Sequence, residues 1–184
     1  SHEIGAAGVI FHLGSHAGGV HAKLRDITDT LKLILKSTPE DTQIILENAA
    51  GSGNKIGGKL EELALLKNKS KSERIKFCLD TQHAFAAGYD LRTKKDVDNF
   101  VNEIEQELGI ENVVAFHVND SKVDLGKNVD RHENIGIGKI GLKGFSALLN
   151  NPALSHLPFI LEVPGFEREG PDGKNVEILR RMII

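Results

Sequence analysis

The chain has 184 residues, a formal net charge of −3 and a hydrophobic content of 40%, enough for one domain with its own core. No apolar run approaches the ~18 residues of a membrane span, and the first residues lack the basic-then-apolar pattern of a secretory leader. A lone cysteine, Cys78, excludes an internal disulfide and points to a reducing compartment, so a cytoplasmic location is expected. The acidic balance counts against nucleic-acid binding through a global field, although metal ions can neutralise carboxylates and leave a local groove positive.

Short apolar runs alternate with amphipathic segments along the chain. Gly8 to His12 reads as a strand. Leu24, Ile27, Leu31, Ile34 and Leu35 then recur at helical spacing. Gln43 to Glu47 is a second strand, Leu60, Leu63 and Leu66 mark a second helix, and Lys76 to Asp80 is a third strand. The clearest helix runs from Thr93 to Leu108: Thr93 and Asp96 have capping-box spacing, Val97, Phe100, Val101, Ile104 and Leu108 form its stripe, and Gly109 suits its C-terminal cap. Asn112 to Asn119 is a fourth strand, Phe145, Leu148 and Leu149 a short helix, Phe159 to Glu162 a fifth strand, and Val176, Leu179 and Ile183 a closing helix. No low-complexity segment or linker interrupts this order, so residues 1–184 are read as one domain.

Strands alternating with helices imply a parallel sheet with right-handed crossovers. His12, Glu47, Asp80, His117 and Glu162 each close a predicted strand, at spacings of 35, 33, 37 and 45 residues. A βα unit of a (β/α)8 barrel takes roughly 30 residues, so each unit delivers one such residue to the same end. Strand ends converge in a barrel and spread into a line in a flat sheet, and five converging polar residues favour the TIM barrel. Only five units are counted where closure needs eight. The expectation is therefore the C-terminal part of a TIM barrel without its first three βα units. The chain also begins without methionine just before a strand, as a piece of a longer chain would. The missing strands would come from another segment or another chain.

Several strings carry chemistry. In Phe11-His12-Leu13-Gly14-Ser15-His16, two histidines flank a glycine turn, a pattern that a surface pair also gives. Glu47 ends an apolar strand before the glycine-rich stretch Gly51, Gly53, Gly57 and Gly58, which lacks the Gly-Lys-Ser/Thr ending of a phosphate loop. Asp80 closes a strand with His83 three residues on, in the following turn, while Cys78 beneath them reads as packing. Asp130 and His132 alternate in an extended stretch and so point the same way, with Arg131 between them turned elsewhere. Pro164 ends the strand that carries Glu162. His2, His21 and His156 lack such a setting and read as surface or packing residues. Each motif has a bland reading as a solvated loop, but eight coincident accidents at strand ends are hard to sustain. Four imidazoles and four carboxylates suit zinc, with manganese as the alternative. Eight ligands exceed one tetrahedral ion, so two or three cations must share them. Three divalent cations against four carboxylates leave a positive pocket that favours phosphate.

The strings FHLGSH, LENAAGSG, CLDTQHAFAAGYDLRT, HVNDSK and DRHENIGIGKIG closely resemble the endonuclease IV family of apurinic/apyrimidinic endonucleases, over essentially the whole chain. The resemblance implies a TIM barrel holding three zinc ions. One would be held by His12 and Glu47, a second by bridging Glu47 with Asp80, His117 and Glu162, and the third by His83, Asp130 and His132. The family's further histidine for the first ion lies on an earlier strand that this sequence does not contain, as do loops that penetrate the DNA. Gln82, where many relatives carry cysteine, is not a ligand position, and little effect is expected of it. The implied partner is double-stranded DNA containing abasic sites. The implied reaction is hydrolysis of the phosphodiester 5′ to the lesion, leaving a 3′-hydroxyl and a 5′-deoxyribose phosphate, with Glu47 as the catalytic bridging ligand. Ser15, Asn48, Lys122 and Arg131 lie beside ligands as candidate DNA contacts. Two other readings compete: a catalytically impaired fragment that binds metal or DNA, and a metal-dependent sugar isomerase or epimerase, which the Asp130-Arg131-His132 motif disfavours.

Overall fold

Gln43-Ile44-Ile45-Leu46-Glu47 is buried almost throughout, as expected of a strand covered on both faces. In the computed structural model, which describes residues 2–184, this strand is β2 and lies second in a five-stranded parallel sheet. The sheet comprises β1 (Gly8–Phe11), β2 (Gln43–Glu47), β3 (Ile75–Asp80), β4 (Val113–His117) and, beyond a short antiparallel pair of β5 (Asp120–Ser121) and β6 (His132–Glu133), β7 (Phe159–Ile160). The order β1-β2-β3-β4-β7 follows the chain, as in one arc of a barrel. Both ends of the arc are open edges, where Val9 and Ile160 are 48% and 42% exposed.

Among the described residues six α-helices lie between the strands or after the last: α1 (Gly19–Ser37), α2 (Leu60–Ser70), α3 (Thr81–Ala87), α4 (Lys94–Glu107), α5 (Gly141–Leu149) and α6 (Gly173–Arg180). Helix α4 buries the predicted stripe of Val97, Phe100, Val101 and Ile104. The Thr93 hydroxyl accepts from Asp96 N–H at its start, and Gly109 follows it with φ of 72°, a backbone that glycine adopts without strain. The closing helix ends earlier than its apolar spacing predicts, leaving Ile183 outside α6 and exposed. Helix α3 was not expected: His83 lies inside it rather than in a turn. The Asp80 carboxylate starts that helix by accepting from the His83 N–H at 2.8 Å, an N-cap that the apolar pattern alone does not reveal.

The two faces of the sheet differ. Leu46, Phe77, Leu79 and Phe116 join the main core beneath the helices. Ile45, Cys78 and Ala115 form a small separate cluster on the other face, against Ile10 and Val114. The side-chain period of two then carries that second face from Ile10 to His12, Ile45 to Glu47, Cys78 to Asp80 and Ala115 to His117. A floor of apolar residues thus lies directly beneath the polar strand ends. Burial pushes the Cys78 thiol well above its ordinary pKa, and the charges of Glu47 and Asp80 push it further, as befits a packing residue.

One irregularity sets this face. Phe77 pairs with Val113, yet Cys78 pairs with Ala115, so Val114 is an extra residue in β4. Such a bulge reverses the alternation downstream of it. Val113 and Phe116 accordingly both pack into the main core, although one is odd and the other even in number.

Candidate metal centre

The C-terminal ends of β1 to β4 deliver His12, Glu47, Asp80 and His117 to one place. The short run after β7 adds Glu162, helix α3 adds His83, and the loop into β6 adds Asp130 and His132. Glu47 is the hub. Its carboxylate lies 2.8 Å from His117 Nδ1, 3.6 Å from His12 Nε2 and 3.6 Å from His83 Nδ1. Glu162 lies 3.1 Å from His117 Nδ1 on the outer side. Asp80 connects inward, 3.8 Å from both His83 Nδ1 and His132 Nε2. Asp130 Oδ1 lies 3.4 Å from His83 Nε2 and 3.5 Å from His132 Nε2. All eight residues singled out in the sequence are thus joined in one network.

Donor atoms cluster closely enough to share cations in three groups: His12, Glu47 and His83; Asp80, His83 and His132; and Glu47, Asp80, His117 and Glu162. The third group is the ligand set expected of the second ion. His83 belongs to both of the first two groups; the second holds Asp80 where the third ion's set was expected to hold Asp130, which instead faces His83 Nε2 at 3.4 Å from outside the group.

The imidazoles are oriented as metal ligands are. His83 Nδ1 lies 3.1 Å from the Asn48 carbonyl, and His132 Nδ1 lies 3.2 Å from the Glu162 carbonyl. A carbonyl only accepts, so Nδ1 carries the proton in each ring and Nε2 is turned into the site. His132 Nε2 is buried there without a hydrogen-bond partner. A buried orphan nitrogen facing carboxylates is costly unless something binds it, and a carbonyl behind each ring is the usual support of a metal-ligating histidine. The residues therefore fit divalent cations, and the all-nitrogen-and-oxygen donor set fits zinc or manganese better than a soft ion.

The electrostatics agree. Burial alone would lower the pKa of His83, but Asp80, Asp130 and Glu47 overcome it and raise the value to about 9. His117 is raised in the same way, burial being outweighed by Glu47 and then by Glu162 and Asp80. Glu47 is held below its ordinary value despite burial, by His117, His12 and His83. Asp130 is held far below the carboxylate range, chiefly by the His83 hydrogen bond, against burial and with help from Lys55. Without cations, protons thus supply the positive charge that the carboxylates require, and metal binding would displace them.

Three asparagine and glutamine side chains lock the ligands. Asn48 is buried, and its amide brackets Asp80, donating to the Asp80 carbonyl at 3.1 Å and accepting from the Asp80 N–H at 2.6 Å. It holds a ligand instead of facing the cleft. Asn119 donates to Asp80 Oδ2 at 2.6 Å and accepts from the Glu162 N–H at 2.8 Å. Gln82 carries more than its off-ligand position promised. It is buried, and its amide donates to the Val129 carbonyl at 2.9 Å, beside Asp130, and reaches the Ser121 hydroxyl at 3.4 Å. Farther out, Asp120 accepts from the backbone N–H groups of Ser121, Gly136, Gly138 and Ile140 and so pins the loop after His132. Ser15, Lys122 and Arg131 are exposed at the rim, with Arg131 donating to the Asp130 carbonyl.

Lys55 was missed in the sequence. It lies in the glycine-rich loop after β2, and its ammonium is 3.2 Å from Asp130 Oδ2. Sequence distance hid it, since the two residues are 75 positions apart.

Comparison with known proteins shows the family. A family model described as a xylose isomerase-like TIM barrel matches residues 1–182. A probable endonuclease 4 of Halothermothrix orenii is 41% identical over 94% of this chain and 63% of its own length, and one of Aquifex aeolicus is 40% identical over 98% and 64%. The crystal structure of endonuclease IV from Thermus thermophilus superimposes with a TM-score of 0.83 at 32% identity, covering 97% of this chain and 62% of that one. A D-tagatose 3-epimerase-like protein shares the fold, with a TM-score of 0.75 at 22% identity. The chain spans a little under two thirds of the length of these relatives. It belongs to the xylose isomerase-like TIM barrel family, on its endonuclease IV branch.

Proposed function

We propose that this chain carries the metal centre of a DNA-repair endonuclease that hydrolyses the phosphodiester 5′ to an abasic site in duplex DNA, with three zinc ions in the intact protein. The observation that carries the reading is the pair His83 and His132. Each is backed by a main-chain carbonyl on Nδ1, and each turns Nε2 onto the same oxygen of Asp130. This is an orientation for binding a cation rather than for packing.

Bound cations would supply an activated water and stabilise charge on the attacking and leaving oxygens of an in-line displacement. The protein's own part is positional. Glu47 joins the ligand groups through one buried carboxylate. Asn48 and Asn119 fix the backbone and carboxylate of Asp80 from opposite sides. The apolar floor of Ile45, Cys78 and Ala115 seals the sheet side of the site, so solvent and substrate reach it from the loop side. Ser15, Lys122 and Arg131 line that rim and are the proposed DNA contacts.

The test is incision of an abasic duplex with and without chelator, read alongside metal content per chain. Cleavage leaving a 3′-hydroxyl and a 5′-deoxyribose phosphate, lost on chelation and restored by zinc, is expected. Chelator-insensitive cutting would sink the metal reading. A second reading, a metal-binding piece without catalysis, draws on the open β1 edge beside His12. Its signature is zinc loading without incision until the remaining part of the barrel is added.

A further inference from the structure

Among the described residues, Lys55 is the one lysine or arginine whose side chain forms a salt bridge with the carboxylate of a proposed ligand. The two oxygens of Asp130 divide their partners. Oδ1 faces the Nε2 atoms of His83 and His132, and Oδ2 faces the Lys55 ammonium at 3.2 Å. A cation held on the first oxygen and the ammonium on the second would thus flank a single carboxylate.

Lys55 is also held in place from behind. Its backbone pairs with Ser15 in an isolated antiparallel bridge. On either side His16 N–H donates to the Asn54 carbonyl at 3.1 Å, and Ile56 N–H donates to the Gly14 carbonyl at 3.0 Å. The loop after β1, which follows His12, and the loop after β2, which follows Glu47, are therefore zipped together at Lys55. The backbone of Lys55 is thus fixed beside the loop after β1, and its head reaches Asp130. The Lys55 side chain is about one-third exposed. One carboxylate oxygen engages it, and an ammonium has three donors.

We infer that Lys55 is a phosphate-binding residue of this site, donating to a non-bridging oxygen of the phosphodiester that the Asp130-bound cation also receives. The inference rests on reading the centre as a phosphodiester site and adds a substrate contact to it. The chemistry is that of a point-charge donor beside a metal ion, which suits phosphate and needs no bidentate geometry. Once a cation draws on the charge of Asp130, the hold of that carboxylate on Lys55 weakens, so metal loading frees the ammonium for the incoming anion.

The experiment uses the zinc-loaded chain and inorganic phosphate as the probe, with binding read by calorimetry and zinc per chain measured on the same samples. Lys55→Gln is expected to weaken phosphate binding about tenfold, at unchanged zinc content and melting temperature. Lys55→Arg should retain most of the affinity, and Lys143→Gln on the far helix α5 should bind as wild type. With a short abasic duplex in the absence of turnover, Lys55→Gln should make the salt slope shallower by about 0.9, the value for one lost phosphate contact. Unchanged phosphate affinity in fully loaded Lys55→Gln overturns the inference. Zinc loss in Lys55→Gln that Lys55→Arg repairs also overturns it, because Lys55 would then act only by holding Asp130. If the wild-type chain binds phosphate through Lys55 but never cuts abasic DNA, the inference stands and the endonuclease reading falls. If the chain cuts and Lys55→Gln binds phosphate as wild type does, the reverse holds.

Discussion

Asp80 and His117 are register partners across β3 and β4, and they face each other because Val114 is an extra residue between Phe77–Val113 and Cys78–Ala115. Were β4 regular at its full length, alternation from Val113 would carry His117 to the helix side, where Phe116 packs. Deleting Val114 removes the bulge and leaves three steps from Val113 to His117, so the downstream pairs are expected to keep their register and His117 its place beside Glu47 and Glu162. The deletion variant should retain zinc in the group of Glu47, Asp80, His117 and Glu162, at a modest loss of melting temperature. Loss of that zinc in the variant would overturn the register account.

Glu47 touches three imidazoles. Glu47→Gln keeps its shape and removes its charge. Supports of metal ligands cost 10–100-fold when lost, so removal of the shared ligand itself should lower incision by at least about 100-fold. Zinc affinity should fall with it. An active Glu47→Gln protein with full zinc would refute the bridging role.

Asn119 is not a ligand, yet it holds Asp80 Oδ2 and the Glu162 N–H together. Asn119→Ala leaves that part-buried donor unpaired, at a cost of about 1 kcal/mol. Zinc affinity should drop about 10–100-fold, measured by competition with a chromophoric chelator. Asn119→Asp keeps an acceptor for the Glu162 N–H but cannot donate to Asp80, and it places a like charge there, so it should not rescue binding.

The metal-free protein should be sensitive to alkali. His83 is raised in the folded chain to about 9, burial being overcome by Asp80, Asp130 and Glu47. A raised folded value means that the stabilisation is complete below the ordinary histidine pKa of about 6.5 and fades as pH climbs through about 9. Chelated protein should therefore melt several degrees lower at about pH 10 than at about pH 6, and His83→Gln should flatten that difference. A flat profile in the chelated wild type would remove the ion-pair account.

Zinc addition should reverse much of this loss. A ligand at about 100 times its Kd stabilises by about 2.7 kcal/mol, and each kcal/mol moves the melting temperature by about 2–4 °C at this size. A rise of about 5–10 °C on zinc addition at neutral pH is expected. Zinc that leaves the melting temperature unmoved would count against a cation site in the folded chain.

Much of this protein is written locally. Strand β2 and helix α4 fall within a residue of where hydrophobic period and capping place them, because burial pattern and end caps depend on near neighbours. Five of the ligand-type residues, His12, Glu47, Asp80, His117 and Glu162, were legible for a related reason: in a barrel, strand ends converge, so their position along each strand already says where they meet. What the sequence could not show depends on register and on partners distant in the chain. Helix α3 hangs on a carboxylate that caps it, and His117 reaches its face through one inserted residue. The orientation of His83 and His132 rests on carbonyls 35 and 30 positions away, and Lys55 meets Asp130 across 75. Strand position and motif determined which residues gather at the candidate metal centre. Tertiary contacts alone decided which nitrogen faces it, which amides hold it, and which lysine stands over it, because hydrogen-bond geometry exists only once the strands are in register.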